Sequence, residues 1–318
     1  MILVTGAAGF IGFHLSRTLL QKNEAVIGLD NFSAYYDVAL KQERINILNK
    51  YGNFIFVESC LTETRTWDTL FSQYPITKIC HLGAQAGVRY SLENPRAYGD
   101  SNLTGFLEVL EAGRHNRVER LVYASSSSVY GGNTKIPFSE TDTVDTPVSL
   151  YAATKKANEL LAHSYTSLYD LQTIGLRFFT VYGPWGRPDM AYWKFTRALL
   201  EEESLTVYNR GNMERDFTYI DDIIQGVEAA LFSTNLNQYD IFNLGNNTPV
   251  RLMDFISLLE THTGKTARME FLPMQPGDVP RTYADITRAR EKLNYSPETG
   301  LRDGLEKFVT WYKNYFNY

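Results

Sequence analysis

Three glycines in a three-residue rhythm, Gly6, Gly9 and Gly12, follow the apolar run Ile2-Leu3-Val4 and open a helical pattern through Leu15, Leu19 and Leu20. Strand, glycine turn and helix in that order confine the start of the chain to one kind of unit. Gly6 permits the tight turn, Gly9 lets the backbone approach a pyrophosphate, and Gly12 lets the helix lie close to the sheet. Free N–H groups at the helix start favour an anion. The next apolar strand, Ala25-Val26-Ile27-Gly28-Leu29, ends in Asp30, 18 residues past Gly12. A carboxylate there accepts hydrogen bonds from a ribose 2′-hydroxyl and repels a 2′-phosphate. The unit therefore predicts a site for NAD in preference to NADP.

Strand and helix patterns go on alternating over residues 1–179. Further strands are expected at Phe54-Ile55-Phe56-Val57, at Lys78-Ile79-Cys80-His81-Leu82, at Arg120-Leu121-Val122-Tyr123-Ala124 and at Thr173–Phe178. Helices are expected over 38–50, 66–73, 98–113 and 150–169. Such alternation implies an α/β fold, a doubly wound, Rossmann-like parallel sheet with helices on both faces. Ligands of these sheets bind at the strands' carboxyl ends. Gly6, Asp30, Gly83, Ser125 to Ser128 and Thr180 all fall there. From about Thr180 glycine, proline and aromatic residues become frequent. Residues 180–318 are expected to form mainly a smaller α/β substrate lobe, with some segments returning to the main sheet. A loop is expected over 181–190, helices over 191–203 and up to about Phe232, a strand over 205–208, a loop over 275–282 and a terminal helix over 303–315.

Composition narrows the partners. The net charge is −5, which gives no reason to expect nucleic acid or an anionic membrane. No apolar stretch approaches the length of a membrane span, and the first strand begins at Met1, so neither a span nor a signal peptide is expected. Cys60 and Cys80 fit no metal site and no disulfide framework. They read as buried free thiols of a reducing cytoplasm. His81, at a strand end, reads as a packed core histidine.

The reactive chemistry gathers in two short segments. Four serines, Ser125 to Ser128, run into Val129-Tyr130-Gly131, and Tyr151-Ala152-Ala153-Thr154-Lys155 follows. Tyr and Lys four apart share a helix face. A neighbouring ammonium favours phenolate and lowers a phenol's pKa from about 10. A serine hydroxyl at the preceding strand end would complete a proton relay.

With these motifs the chain resembles an extended short-chain dehydrogenase/reductase of the nucleotide-sugar epimerase group, over essentially its whole length. The match rests on Thr5 to Gly12, Asp30-Asn31, the Ser-x-x-Val-Tyr-Gly segment, Tyr151 with Lys155, and Arg215-Asp216-Phe217-Thr218-Tyr219-Ile220-Asp221-Asp222. Ala84 to Ser91, Tyr182 to Met190 and Pro276 to Thr282 are similar to UDP-glucuronate 4-epimerases in particular. The resemblance implies a tightly held NAD, a UDP-sugar substrate and a homodimer built through the helices at 98–113 and 150–169. It assigns cofactor contacts to Gly6, Gly9, Phe10, Ile11, Gly12, Asp30, Asn31, Leu61, Gly83, Ala84, Gln85 and Asn102, and also to Tyr151 and Lys155. Tyr151 is the implied base for the C4 hydroxyl, Lys155 the group that lowers its pKa, and Ser126 its helper, with Ser128 a second candidate. Substrate contacts fall on Ser126, Ser127, Ser128 and Thr180. Arg215 and Arg281 are implied diphosphate clamps, and Asp278 a uridine-side or ribose contact. Either Arg187 or Arg89 is expected to bind a uronate carboxylate.

The implied reaction is oxidation at C4, rotation of the 4-keto sugar and reduction on its other face. Related dehydratases and decarboxylases carry carboxylates just before the Val-Tyr-Gly, where this chain has Ser127 and Ser128. That argues for epimerisation without elimination or decarboxylation. Two departures stand out. Cys60 occupies the place of an acid that bonds the adenine amino group, and Gly83 replaces a more usual alanine. A 4-epimerase of a neutral or N-acetylated UDP-sugar, a nucleotide-sugar oxidoreductase and a non-catalytic NAD-binding sensor stay open as other readings.

Overall fold

The computed structural model describes residues 1–274 and 279–318. Its strands, in chain order, are β1 (Ile2–Thr5), β2 (Val26–Asp30), β3 (Phe54–Glu58), β4 (Lys78–His81), β5 (Arg120–Ser126), β6 (Thr173–Phe178), β7 (Thr180–Tyr182), β8 (Ser204–Tyr208), β9 (Glu214–Tyr219), β10 (Tyr239–Leu244), β11 (Pro249–Arg251), β12 (Arg268–Leu272) and β13 (Arg281–Thr282). Seven of them form one sheet in the order β10-β6-β5-β4-β1-β2-β3. Every pairing in it is parallel.

Parallel strands covered on both faces read as continuous apolar runs. β1, β2 and β6 are buried along their whole length. Alternate residues serve opposite faces. Val4, Val26, Val122 and Ile174 join one core with the helix Phe10–Gln21. Leu3, Ile27, Leu121 and Tyr123 join the other, with Trp67, Phe106 and Val109 of the opposite helices.

Chain order reverses between β1 and β4, which opens a crevice at their carboxyl ends. Gly6 sits there with φ +71°, and a Cβ on it would lie 2.7 Å from the Gly83 nitrogen. A Cβ on Gly12 would come within 2.0 Å of the Gly6 carbonyl oxygen. The turn is therefore closed to any side chain at these two positions.

The second lobe packs β9 between β11 and β13, with β7 also on β9, and pairs β12 with β8. Buried Asp216 of β9 ties three segments together. It accepts from the backbone N–H groups of Asn246 (2.6 Å), Asn247 (3.0 Å) and Ala284 (2.9 Å). The strand β10 lies in the main sheet, beside β6.

The helix Leu150–Tyr169 matches its expected bounds, capped by the Ser149 side chain and ended by left-handed Asp170. The single helix expected over 98–113 is broken up. A short helix Pro95–Tyr98 leads into a π-helical stretch, Gly99–Thr104, and then into the helix Gly105–His115. π-helical turns are rare and gather at functional sites. This one carries Asn102.

Candidate active site

A cavity of about 1120 Å³ opens over the carboxyl ends of the main sheet and runs under the second lobe. That exceeds the range of about 300–1,000 Å³ usual for one small ligand. At one end stands the glycine turn. The helix Phe10–Gln21 starts at Gly9 with no side-chain cap and no acidic residue in its first turn. Its first N–H groups have no partner within the helix and suit a phosphate. Asp30 closes the next strand and accepts from Ala8 N–H at 3.1 Å and Phe32 N–H at 2.9 Å. These bonds fix the carboxylate's orientation and leave lone pairs for hydroxyl donors. Burial raises its pKa, while Lys41 acts in the opposite direction. The crowded glycines, the uncapped helix and the oriented acid together fit a dinucleotide.

Of the expected cofactor residues, Gly6, Gly9, Phe10, Ile11, Gly12, Asp30, Asn31, Leu61, Gly83, Ala84 and Gln85 line the cavity. Asn102 lies behind the wall, fully packed. It accepts from Gln85 N–H at 2.8 Å and donates to the Gln85 carbonyl at 3.0 Å and to Thr154 Oγ1 at 3.0 Å. It thus ties the loop after β4 to the helix that carries Tyr151. Cys60 is exposed, which corrects the expectation of a buried thiol; only Cys80 is buried. The loop after β3 sets Cys60 at the cavity rim, where its sulfur accepts from Asn31 Nδ2 at 3.4 Å. His81 is buried against the Phe106 ring, and burial lowers its pKa to about 3.

Tyr151, Lys155, Ser126, Ser127 and Ser128 line the middle of the cavity. Burial raises the Tyr151 pKa, and the Ser126 hydroxyl, close enough to bond the phenol, lowers it in part. Lys155 donates to the Ala124 carbonyl at 2.9 Å, and burial brings its pKa down to about 8. The phenol's pKa is raised where a lowering was expected. The ammonium is anchored on the end of β5, and burial of the phenol outweighs the neighbouring hydroxyl. Ser126 also donates to Ser128 Oγ at 3.2 Å, so the two hydroxyls are already linked.

Thr180, Arg187, Arg89 and Arg215 also line the cavity. Arg187 grips Asp189 bidentately, through Nε at 3.0 Å and Nη2 at 2.6 Å. Tyr35 donates to the same carboxylate at 3.1 Å. Arg187 and Asp189 both lie within electrostatic reach of Tyr151, the guanidinium lowering its pKa and the carboxylate raising it. Arg89 stacks over the Tyr208 ring at 4.6 Å. Arg215 donates to the carbonyls of Glu214 (2.9 Å) and Pro280 (3.2 Å). Arg281 is exposed, pairs with Glu214 at 2.6 Å and stacks on Tyr283. It is not among the residues that line the cavity. Asp278 lies outside the described residues.

Three supports went unread in the sequence. Lys41 lines the cavity and donates to the Ser33 carbonyl at 2.7 Å. Buried Arg44 reaches the Ala8 carbonyl at 2.8 Å. Both break the apolar face of the helix Val38–Leu48, between Leu40, Ile45 and Leu48, and that charge on a buried face was the available signal. Under the serine run, Glu159 accepts from Ser125 at 2.7 Å and pairs with Arg177 through two bonds of 2.8 Å. Arg177 continues to the Tyr130 hydroxyl at 3.0 Å, and Tyr130 to Asn243 at 2.7 Å.

The model of the NAD dependent epimerase/dehydratase family matches residues 2–245. Protein CapI of Staphylococcus aureus is 48% identical over 331 aligned positions, covering 99% of each chain. UDP-glucuronate 4-epimerase 1 of Arabidopsis thaliana is 48% identical, over 100% of this chain and 77% of its own. The solved UDP-glucuronic acid 4-epimerase of Bacillus cereus, in complex with UDP-glucuronic acid and NAD, superposes with a TM-score of 0.93 at 38% identity and 99% coverage of both chains. The chain belongs to the NAD dependent epimerase/dehydratase family.

Proposed function

We propose that the protein inverts C4 of a UDP-hexuronic acid, interconverting UDP-glucuronate and UDP-galacturonate with NAD as resident cofactor. The observation that carries this is Arg187, held by Asp189 within electrostatic reach of Tyr151. A guanidinium at the reacting end of the cavity suits a carboxylate on the sugar. The Arabidopsis and Bacillus relatives are 4-epimerases of the same substrate by name.

Bound NAD supplies reversible hydride acceptance. Tyr151 takes the proton of the C4 hydroxyl, and Ser126 stabilises the phenolate that does so. Lys155 holds the end of β5 through Ala124 and presents its ammonium beside the reacting groups. A 4-keto uronate is a β-keto acid and loses CO2 when its C5–C6 bond aligns with the ketone π system. Asp189 occupies the Nε and Nη2 donors of Arg187, which leaves Nη1 for the sugar carboxylate. Thr180 and Ser128 add hydroxyls. So fixed, the carboxylate is kept out of that alignment. Ser127 and Ser128 supply no acid for elimination, and reduction from the opposite face is the easy exit. Arg215, which lines the cavity, is the proposed diphosphate contact, and Arg281 would have to leave its pair with Glu214 to join it.

The test is product analysis by NMR after separate incubation with UDP-glucuronate and UDP-glucose. UDP-galacturonate forming in the first tube, with little turnover in the second, is the expected result. UDP-xylose as main product, or bound NAD without turnover, would overturn the reading.

We also infer a homodimer. The helices Gly105–His115 and Leu150–Tyr169 expose Leu107, Leu160 and Leu168, apolar side chains that a second copy would cover. The two free thiols suit a reducing cytoplasm, which imaging of a tagged copy would check.

A further inference from the structure

We propose that Arg44 is a positioning residue that couples the dinucleotide turn to the loop presenting Arg187. Its side chain is 0% exposed. Nη1 donates to the Ala8 carbonyl and to the Tyr36 hydroxyl, each at 2.8 Å. Nη2 donates to the carbonyls of Trp185 at 2.6 Å and Gly186 at 2.8 Å. No carboxylate is among these partners. A buried cation whose hydrogen bonds all go to neutral dipoles, with Asp30 near but not bonded to it, loses heavily when those dipoles move away.

The two ends of this guanidinium meet different ligands. The Ala8 carbonyl that Arg44 holds shares its peptide unit with Gly9 N–H in the glycine turn, and the N–H on the other side of Ala8 is bound by Asp30 at 3.1 Å. Trp185 and Gly186 directly precede Arg187. Trp185 has a left-handed backbone, φ 58°, which a tryptophan rarely adopts without support. Gly186 is pressed on Tyr192, whose hydroxyl would sit 2.1 Å from any Cβ there. The loop has one seat, and two of the bonds that hold it come from Arg44. A third comes from His14, whose Nε2 meets the Pro184 carbonyl at 2.9 Å and which stands on the helix that begins at the same turn. Filling the turn with a dinucleotide fixes Ala8 and, through Arg44, the loop. By linkage, a seated loop tightens dinucleotide binding by the same factor.

Hydrogen–deuterium exchange over residues 183–192, with and without saturating NAD, tests the coupling. In the unmodified protein NAD slows exchange there about fivefold or more, the low end of ordinary coupling between sites. Arg44→Lys keeps the charge but offers one compact donor head that cannot span both carbonyl sets. It retains the fold, loses most of that protection and binds NAD more weakly. Tyr36→Phe, which removes only the phenol partner, keeps the protection. Arg44→Met gives the full loss where it folds. Retained protection in Arg44→Lys, or a loss spread equally over β1 to β6, would overturn the proposal.

A second arm rests on the C4-epimerase reading. With UDP-glucuronate, Arg44→Lys releases several-fold more decarboxylated UDP-pentose product. There the 4-keto uronate, formed when C4 gives its hydride to NAD, breaks its C5–C6 bond; CO2 leaves, the electron pair passes into the C4 enolate, C5 is protonated, and the same hydride returns to C4 of the ketopentose. An unchanged product ratio counts against Arg44 as the residue that positions Arg187. Absence of UDP-galacturonate from the unmodified protein defeats the reading itself and leaves the exchange arm to decide.

Discussion

Burial drives Tyr151 and Lys155 the same way, toward their neutral forms, although their charges differ in sign. For Lys155 the folded pKa of about 8 lies below the ordinary 10.5. Its charged form therefore costs stability below pH 8, and that cost fades as pH rises from 8 to 10.5. For Tyr151 the counterweight is Ser126, whose hydroxyl lowers the phenol's pKa. Ser126→Ala should move the acidic limb of the kcat/KM profile to higher pH, by about one unit. A pH–rate series on both proteins measures this, and an unmoved limb would remove Ser126 from the relay. The pairing of Tyr151 with Lys155 was legible because helix spacing is a local property. The direction of the phenol's shift was not, because it depends on what the fold packs around it. Cys60 was misread for the same reason: the loop that carries it to the cavity rim has no local signature.

Among the elements, the buried pair Glu159–Arg177 joins the helix Leu150–Tyr169 to β6 beneath the serine run. Glu159→Gln leaves the guanidinium buried without its counter-ion, and should destabilise by about 3–5 kcal/mol. Urea unfolding monitored by circular dichroism gives the number, and a loss below about 1 kcal/mol would mean that the pair is dispensable. A double change to Glu159→Leu with Arg177→Met should restore much of the loss, since similar apolar volume avoids the charge altogether. The ends of that helix were legible in Ser149 as a cap and in the spacing of its buried residues. The π-helical stretch was not. Gly99-Asp100-Ser101-Asn102 looks like ordinary helix, and its wider turn is set by Asn102 reaching Gln85 and Thr154, partners far away in sequence. The main strands were legible from continuous apolar runs. β10 was foreseen only as some returning segment, because Tyr239, Asp240 and Asn243 interrupt the run.

In the whole molecule, exposed leucines stand on two neighbouring helices, at 38% for Leu107, 58% for Leu160 and 70% for Leu168. If these leucines form the proposed dimer contact, the unmodified protein runs as a dimer in light scattering and glutamate at positions 160 and 168 converts it to a monomer while the far-ultraviolet circular dichroism stays the same. A species of unaltered mass would locate the contact elsewhere. A different consequence follows from β10. The chain leaves the main sheet after β6, returns for Tyr239–Leu244, and leaves again. Where it returns, Asn243 binds the carbonyls of Phe138 at 2.8 Å and Asp285 at 3.0 Å, so three distant stretches are sewn at one point. The second lobe is therefore not a cassette. A chimera cut once at residue 180 would import a foreign sheet edge along with a foreign pocket. A graft intended to change the sugar would have to exchange separate patches on either side of β10 and leave that strand native.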